Sequence, residues 1–276
     1  MTTPAEPLLS IEGLSVTMPT PSGLVELVHR TDIAIGEGEI VGLAGESGSG
    51  KTMTASAIMG ILPPGARAGG RIMFEGRDLL ALSRKELDTV RGNRIAIVFQ
   101  DPSAALHPLL TIGTQLTEHL IHHTGITKKQ ANARAVELLD LVRIRDPHHA
   151  VKAYPHQFSG GMRQRAAIAI ALACEPRLLI ADEPTTALDV TVQAGILRLF
   201  DRLARETGVS MLFITHDLGV MNSIADRTYV FKDGTVVESG VTTTILNHPS
   251  HEYTKALIAS RAQSLAEERV QQEARA

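Results

Sequence analysis

The hydrophobic and polar positions are strand-like at the start of the chain, helical in the middle, and strand-like again toward the end. Leu8–Met18 and Leu24–Ile35 read as strands joined by a Pro/Ser/Gly turn around Pro19–Gly23. Gly36–Gly38 forms a turn, and the continuous apolar run Ile40–Ala44 reads as a short buried strand. A Gly-rich loop then leads into a helix expected from Lys51 to about Leu62, which Pro63–Gly70 breaks. Arg71–Phe74 is expected as a strand, Ser83–Val90 as a short helix, and Arg94–Phe99 as a strand with alternating apolar positions. From about Ala104 to Ala173 the pattern is mostly helical, and Lys128–Val142 carries apolar residues near helical spacing. Strands return at Leu178–Asp182, Ser210–Thr215 and Arg227–Lys232, with helices after Asp182 and after Thr215. Strands alternating with helices imply an α/β fold with a largely parallel sheet. The helical middle reads as an insertion into it, so that residues 1–103 and 175–276 make one core and residues 104–174 a second element.

Composition narrows the class. Of 276 residues, 43% are hydrophobic and 21% charged, as in an ordinary globular protein long enough to bury a full core. Thirty acidic and 27 basic side chains give a net charge of −3, and with no strongly basic block nothing supports nucleic acid as a partner. The start, MTTPAEPLLS, lacks the basic and apolar regions of a signal peptide, and no apolar run approaches the ~18 residues of a membrane span. A role in a membrane process would need another chain to cross the bilayer. Cys174 is the single cysteine, which excludes an internal disulfide or a multi-cysteine metal site; its apolar run, Ala166–Cys174, favours a buried structural thiol. His122-His123 and His148-His149 lack a carboxylate or cysteine at ligand spacing, so no zinc site is expected there. Arg261–Ala276, rich in Arg, Glu and Gln, reads as a solvated helix or frayed tail.

Two segments carry recognisable chemistry. Gly45-Glu46-Ser47-Gly48-Ser49-Gly50-Lys51-Thr52 matches the phosphate-loop pattern and lies where that pattern works, between a buried strand and a helix. Its glycines let backbone N–H groups curl around phosphate oxygens, and the helix N-terminus adds free N–H groups and partial positive charge. Lys51 is expected at the β- and γ-phosphates and the Thr52 hydroxyl at Mg²⁺. This pattern alone does not separate ATPases, GTPases and kinases. Leu178-Leu179-Ile180-Ala181-Asp182-Glu183 adds a buried strand ending in two carboxylates. Asp182 suits the Mg²⁺ shell, and Glu183 is then available to orient or deprotonate an attacking water.

Phe158-Ser159-Gly160-Gly161-Met162-Arg163-Gln164-Arg165 closely resembles the signature sequence of the ABC ATPases and precedes the carboxylate strand, as it does in that family. Gln100 resembles the family's Q-loop glutamine, Ala187-Leu188-Asp189 its D-loop, and His216 its switch histidine. Five motifs fall in family order over nearly the whole chain. The resemblance implies a P-loop NTPase core of the RecA type, an N-terminal antiparallel β subdomain and an inserted α-helical signature subdomain. It implies ATP and Mg²⁺ as cofactors, with Thr52, Gln100 and Asp182 about the metal. Glu183, His216 and Gln100 would act in hydrolysis. Gly45, Ser47, Gly48, Gly50, Lys51 and Thr52 would hold the nucleotide. Ser159, Gly160 and Gly161 would close over ATP held by another subunit. The implied partners are two transmembrane permease subunits, a second ABC ATPase subunit and, indirectly, an extracytoplasmic substrate-binding protein, with this chain on the cytoplasmic face of the membrane.

Gly60-Ile61-Leu62-Pro63, Val98-Phe99-Gln100-Asp101-Pro102, and His248-Pro249 with Tyr253-Thr254-Lys255-Ala256-Leu257 resemble the peptide/nickel importer branch, which implies peptide or nickel-like cargo. Two departures stand out. Many ATPases of peptide importers have a C-terminal cysteine cluster holding iron–sulfur; with Cys174 alone, no cluster is expected, which leans toward nickel-type or short-form peptide systems. The family usually stacks adenine on an early aromatic residue, but none lies between Leu8 and Arg30, and Met18 or Thr20 falls near that place. A soluble ABC ATPase without a transport role is the alternative. The single phosphate loop, the single signature and the lack of sustained heptads argue against it. A general P-loop kinase or GTPase would have no use for the signature or His216.

Overall fold

The computed structural model describes residues 6–186 and 188–260, so the tail from Arg261 and the alanine of the D-loop pattern lie outside the described residues. The strands are β1 (Leu9–Thr20), β2 (Gly23–Ile35), β3 (Ile40–Ala44), β4 (Arg67–Phe74), β5 (Arg77–Asp78), β6 (Ile95–Val98), β7 (Leu178–Asp182), β8 (Ser210–Thr215), β9 (Arg227–Lys232) and β10 (Thr235–Val241). The α-helices are α1 (Lys51–Met59), α2 (Arg84–Val90), α3 (Pro102–Ala105), α4 (Ile112–Thr124), α5 (Lys128–Leu141), α6 (Pro147–Ala150), α7 (Gly160–Leu172), α8 (Val190–Thr207), α9 (Leu218–Ile224) and α10 (Thr242–Asn247). They fall into two compact units, a β-rich one (Pro7–Ile35, Ile40–Leu80 and Phe213–Ala276) and an α-rich one (Met1–Glu6, Gly36–Glu39 and Ala81–Leu212).

In the β-rich unit an antiparallel sheet has the order β2-β1-β4-β5. The inward positions of β1 are Leu9, Ile11, Leu14 and Val16, all buried. The step from Ile11 to Leu14 would break a strict alternation. A bulge between them, with Gly13 at φ 57°, absorbs the extra residue and returns the apolar side chains to the same face. The same unit holds the run β10-β9-β3, in which β3 pairs parallel with β9 from Val41 opposite Arg227 to Ala44 opposite Val230. β9 turns back into β10 through Asp233-Gly234, both at positive φ (46° and 78°), the conformation a two-residue hairpin prefers. β10 has no fully buried residue, so apolar patterning does not reveal it.

In the α-rich unit β6 pairs parallel with β7, Ile95 opposite Leu178 through Val98 opposite Ala181. Every residue of β7 and β8 is buried. Helices α4, α5 and α7 pack together on Ile112, Leu116, Leu120, Ala131, Leu138, Leu139 and Ile168, none more than 2% exposed. Their starts are marked by caps: Thr111 accepts from the Thr114 amide, Thr127 and Gln130 form a capping box, and Ser159 accepts from the Met162 amide. The apolar spacing over Lys128–Val142 matches α5 to within a residue at each end. α1 stops at Met59, earlier than the expected Leu62, because Gly60 adopts a left-handed conformation (φ 60°) and turns its amide back to the Ala57 carbonyl.

Candidate nucleotide site

The phosphate loop runs from the end of β3, whose five residues are all buried, into α1. At Gly45 (φ 149°) a side chain would have no room: a Cβ would lie 2.2 Å from the Phe231 carbonyl oxygen on β9. At Gly50 (φ 106°) a Cβ would lie 2.8 Å from the Leu27 carbonyl oxygen. The backbone of β2 and β9 therefore presses on the loop at both ends. The hairpin turn adds a further brace, because the Gly234 amide donates to the Ser49 carbonyl at 3.0 Å. Inside the loop Lys51 is only 4% exposed, and its ammonium donates to the Gly45 carbonyl (2.8 Å), the Glu46 carbonyl (2.7 Å) and the Ser49 hydroxyl (3.3 Å). A cation this buried is tolerable because oxygens surround it. Ser47, Gly48 and Thr52 are exposed on the loop and the first turn of the helix. α1 begins at Gly50 with no side-chain cap and no acidic residue in its first turn, so its positive end is left for an anion. His216 is exposed, directly after β8. Its backbone is set by the Asp217 amide donating to the Thr215 hydroxyl (3.1 Å) and the Asp217 carboxylate accepting from the Gly219 amide (2.8 Å).

The α-rich unit carries the other candidates. Asp182 is the last residue of β7 and 6% exposed. Glu183 follows in a left-handed conformation, φ 47°, which costs a residue with a side chain about 1–3 kcal/mol. Its carboxylate accepts from the Thr186 hydroxyl at 2.9 Å and its carbonyl from the Thr186 amide at 3.2 Å, so the turn is held from both ends. Gln100 is exposed just beyond β6, next to Asp101, which caps α3 by accepting from the Ser103 amide (2.8 Å). Ser159 is exposed, and its oxygen already accepts from the Met162 amide at 3.3 Å, so toward an anion its hydroxyl acts as a donor. The two signature glycines differ. A Cβ on Gly160 would meet nothing closer than 3.8 Å, whereas one on Gly161 would lie 2.7 Å from Val192 Cγ1, so packing of α7 on α8 requires glycine at 161. Asp189 caps α8, accepting from the Val192 amide at 2.9 Å.

Cys174 is half-buried rather than fully buried, because α7 ends at Leu172 and leaves it at the helix exit. Burial, and then the neighbouring Glu175, push its thiol up to about 11, which makes it a poor nucleophile. The rings of His119 and His123 on α4 lie 4.6 Å apart and tilted, and burial lowers the pKa of both, His119 despite its hydrogen bond to the Gly92 carbonyl. Among the described residues no three His, Cys, Asp or Glu side chains gather as a metal site. Tyr253, which the sequence offers only as part of a segment resembling the importer branch, is a neighbour of the loop, its hydroxyl accepting from the Glu46 amide at 3.1 Å. The two are 207 positions apart, and no spacing rule links them.

A fold with a phosphate loop on one strand end, paired carboxylates on another and a glycine-led signature helix defines a class of nucleotide-driven ATPase, and comparison with known proteins agrees. The family described as ABC transporter matches residues 28–186, and the chain belongs to it. It is 49% identical over 257 residues to the dipeptide transport ATP-binding protein DppD of Bacillus subtilis (strain 168), covering 92% of this chain and 77% of that protein. The oligopeptide transport ATP-binding protein OppD of the same organism is also 49% identical, over 92% of this chain and 71% of that one. Among solved structures, the dimeric ATP-binding cassette MJ0796 in a post-hydrolysis state bound to ADP and Pi gives a TM-score of 0.75 at 29% identity, covering 85% of this chain and 98% of that one. CbiO1 from Clostridium perfringens, part of the ABC transporter complex cbiONQ, gives 0.74 at 27% identity, over 88% and 92%. The chain is an ABC-type ATPase with the α/β cassette fold of that family. No helix among the described residues is long and apolar enough to cross a membrane.

Proposed function

We propose that this chain is the ATP-hydrolysing subunit of a bacterial peptide importer, seated peripherally on the cytoplasmic face of the membrane beneath two permease subunits. The observation that carries the reading is the phosphate loop, which combines a buried ammonium with a helix end that no side chain caps. The names of the relatives support peptide over nickel as the cargo. In this reading Gly45, Ser47, Gly48 and Gly50 present amides to the phosphates and Lys51 leaves the loop carbonyls for the β- and γ-oxygens. Thr52, Asp182 and Gln100 offer hydroxyl, carboxylate and amide oxygens, a donor set that fits Mg²⁺, which would neutralise phosphate charge. Glu183 accepts a proton from the attacking water as the bond to the γ-phosphorus forms and the bond to the ADP oxygen breaks. His216 donates to the γ-phosphate, and Ser159, Gly160 and Gly161 close over ATP held by a second ATPase subunit, identical or related. Residues 104–174 form the helical element that faces the permeases, with the contact centred on Gln100–His119, and a binding protein outside the membrane delivers the peptide.

Deletion of the gene should abolish uptake of a toxic tripeptide and make the strain resistant to it, with nickel uptake unchanged. Restored sensitivity should require wild-type protein. A deletion strain that still imports the tripeptide at the parental rate would overturn the assignment.

Base selectivity should be weak. No aromatic residue lies in β1 or in β2 up to Arg30, and base–aromatic stacking contributes about 1–3 kcal/mol, or roughly tenfold per 1.4 kcal/mol. Competition titrations should find GTP binding within about tenfold of ATP. A preference for ATP of a thousandfold would show that another residue supplies an adenine platform.

A further inference from the structure

The phosphate loop has one contact from near the end of the described chain. The Glu46 amide donates to the Tyr253 hydroxyl oxygen at 3.1 Å. That amide belongs to the same peptide group as the Gly45 carbonyl, which accepts from Lys51 at 2.8 Å. One peptide plane is thus gripped on both sides, by the ammonium on its oxygen and by the tyrosine on its nitrogen. When Lys51 moves to a phosphate, the first grip is given up and the second remains. Glu46 also closes the loop's inner turn, accepting from the Ser49 amide at 3.2 Å. The orientation of this plane therefore sets the amides that follow it.

Tyr253 is well anchored for such a task. On β10 the Glu238 carboxylate accepts from the Ser250 amide (2.8 Å), the Ser250 hydroxyl (2.7 Å) and the His251 amide (3.2 Å). Desolvation alone would raise this carboxyl, but the nearby Thr254 hydroxyl and the Ser250 and His251 donors hold it at about 2, so it remains ionised at any physiological pH. The Tyr253 amide donates to the His251 ring at 3.1 Å, and the Lys232 ammonium lies 5.2 Å from the centre of the Tyr253 ring. Lys232 is the last residue of β9, one position after the Phe231 carbonyl that presses on Gly45. Burial raises the phenol's pKa above its ordinary value, which keeps it neutral. All these residues lie in the β-rich unit.

We propose that Tyr253 is a positioning residue for nucleotide binding: latched by Glu238, it fixes the Gly45–Glu46 peptide of the phosphate loop in its anion-binding orientation. This rests on the reading of Gly45–Thr52 as the nucleotide cradle. In this reading Tyr253 acts on the loop peptide rather than on the phosphate or the attacking water, so its loss should weaken binding of ATP and of the transition state alike, raising KM without lowering kcat.

The test is Tyr253→Phe in the full chain, which keeps the ring and removes the oxygen. Titration with MgATP should show Kd raised about three- to tenfold, the range for one neutral hydrogen bond. KM should rise in parallel, kcat should stay within about twofold, and the thermal midpoint without nucleotide should be unchanged. Hydrogen exchange should quicken at Glu46 and the amides after it, and not across β3. Glu238→Gln, which leaves the tyrosine in place but weakens its latch, should raise Kd in the same direction by less. Wild-type Kd in Tyr253→Phe, with binding lost in Lys51→Ala, overturns the role of Tyr253 and leaves the cradle standing. Normal binding in Lys51→Ala overturns the cradle itself. If Tyr253→Phe lowers the thermal midpoint, Glu238→Gln decides by the same Kd criterion, and a wild-type Kd there overturns the proposal.

Discussion

Lys51→Ala should abolish measurable ATP binding. Lys51 is 4% exposed and its ammonium is held by two carbonyls and a hydroxyl of its own loop, so it is pre-positioned before any phosphate arrives. Moving it from neutral carbonyls to phosphate oxygens exchanges ordinary hydrogen bonds for charge-assisted ones, roughly twice as strong. No side chain caps α1 and no acidic residue opens it, so the lysine adds to a helix end already positive. Loss of two or three charged hydrogen bonds, at about 1.5–3 kcal/mol each, corresponds to at least about a hundredfold in affinity. Lys51→Arg should not rescue, because a planar fork cannot fold into a space shaped around three converging oxygens. Calorimetric titration with MgATP measures both variants. Affinity within twofold of wild type for Lys51→Ala would mean that the loop is not the nucleotide site.

The parts of this molecule that are legible in its sequence are those where a local rule decides the structure. β3, β7 and β8 show as short, mainly apolar runs, fully buried in the fold, and α5 shows through its apolar residues at helical spacing. The phosphate loop is legible because its glycines answer to backbone oxygens of neighbouring strands that leave no room for a Cβ. Elements without a buried face escape: β10 exposes or half-exposes every residue, and two-residue β5 is too short to show a period. β4 begins at Arg67 rather than Arg71 because it pairs with β1 as far as Thr17, a long-range partner that composition around Gly69-Gly70 conceals. The same limit hides the chemistry. The Asp233-Gly234 turn and Tyr253 brace the loop from a distance in sequence, and the left-handed backbone at Glu183 follows no residue preference. Local motifs thus indicate which side chains could act, while the contacts that orient them come from tertiary pairing.

Glu183→Gln should retain ATP and hydrolyse it about 10²–10⁴ times more slowly, the usual contribution of a positioned general base. Glu183 leaves the buried strand β7 in a left-handed turn, and its carboxylate is steered by the Thr186 hydroxyl at 2.9 Å. A glutamine side-chain oxygen can accept that same hydrogen bond, so the substitution changes basicity and leaves the turn in place. Lys51, Thr52 and Asp182 are untouched, and affinity for MgATP should therefore stay within a few fold of wild type, on the order of 1 kcal/mol or less. If Ser159–Gly161 closes over the γ-phosphate of a partner subunit, slow hydrolysis should also trap an ATP-bound dimer that size-exclusion chromatography resolves. Asp182→Asn provides the contrast. Asp182 is buried at the strand end, its oxygens suit a hard cation, and its neutralisation should weaken Mg²⁺-dependent binding before it affects the chemical step. Turnover, MgATP affinity and elution volume measured for both variants separate the two carboxylates. Wild-type turnover in Glu183→Gln, or lost binding there with none lost in Asp182→Asn, would reverse the assignment.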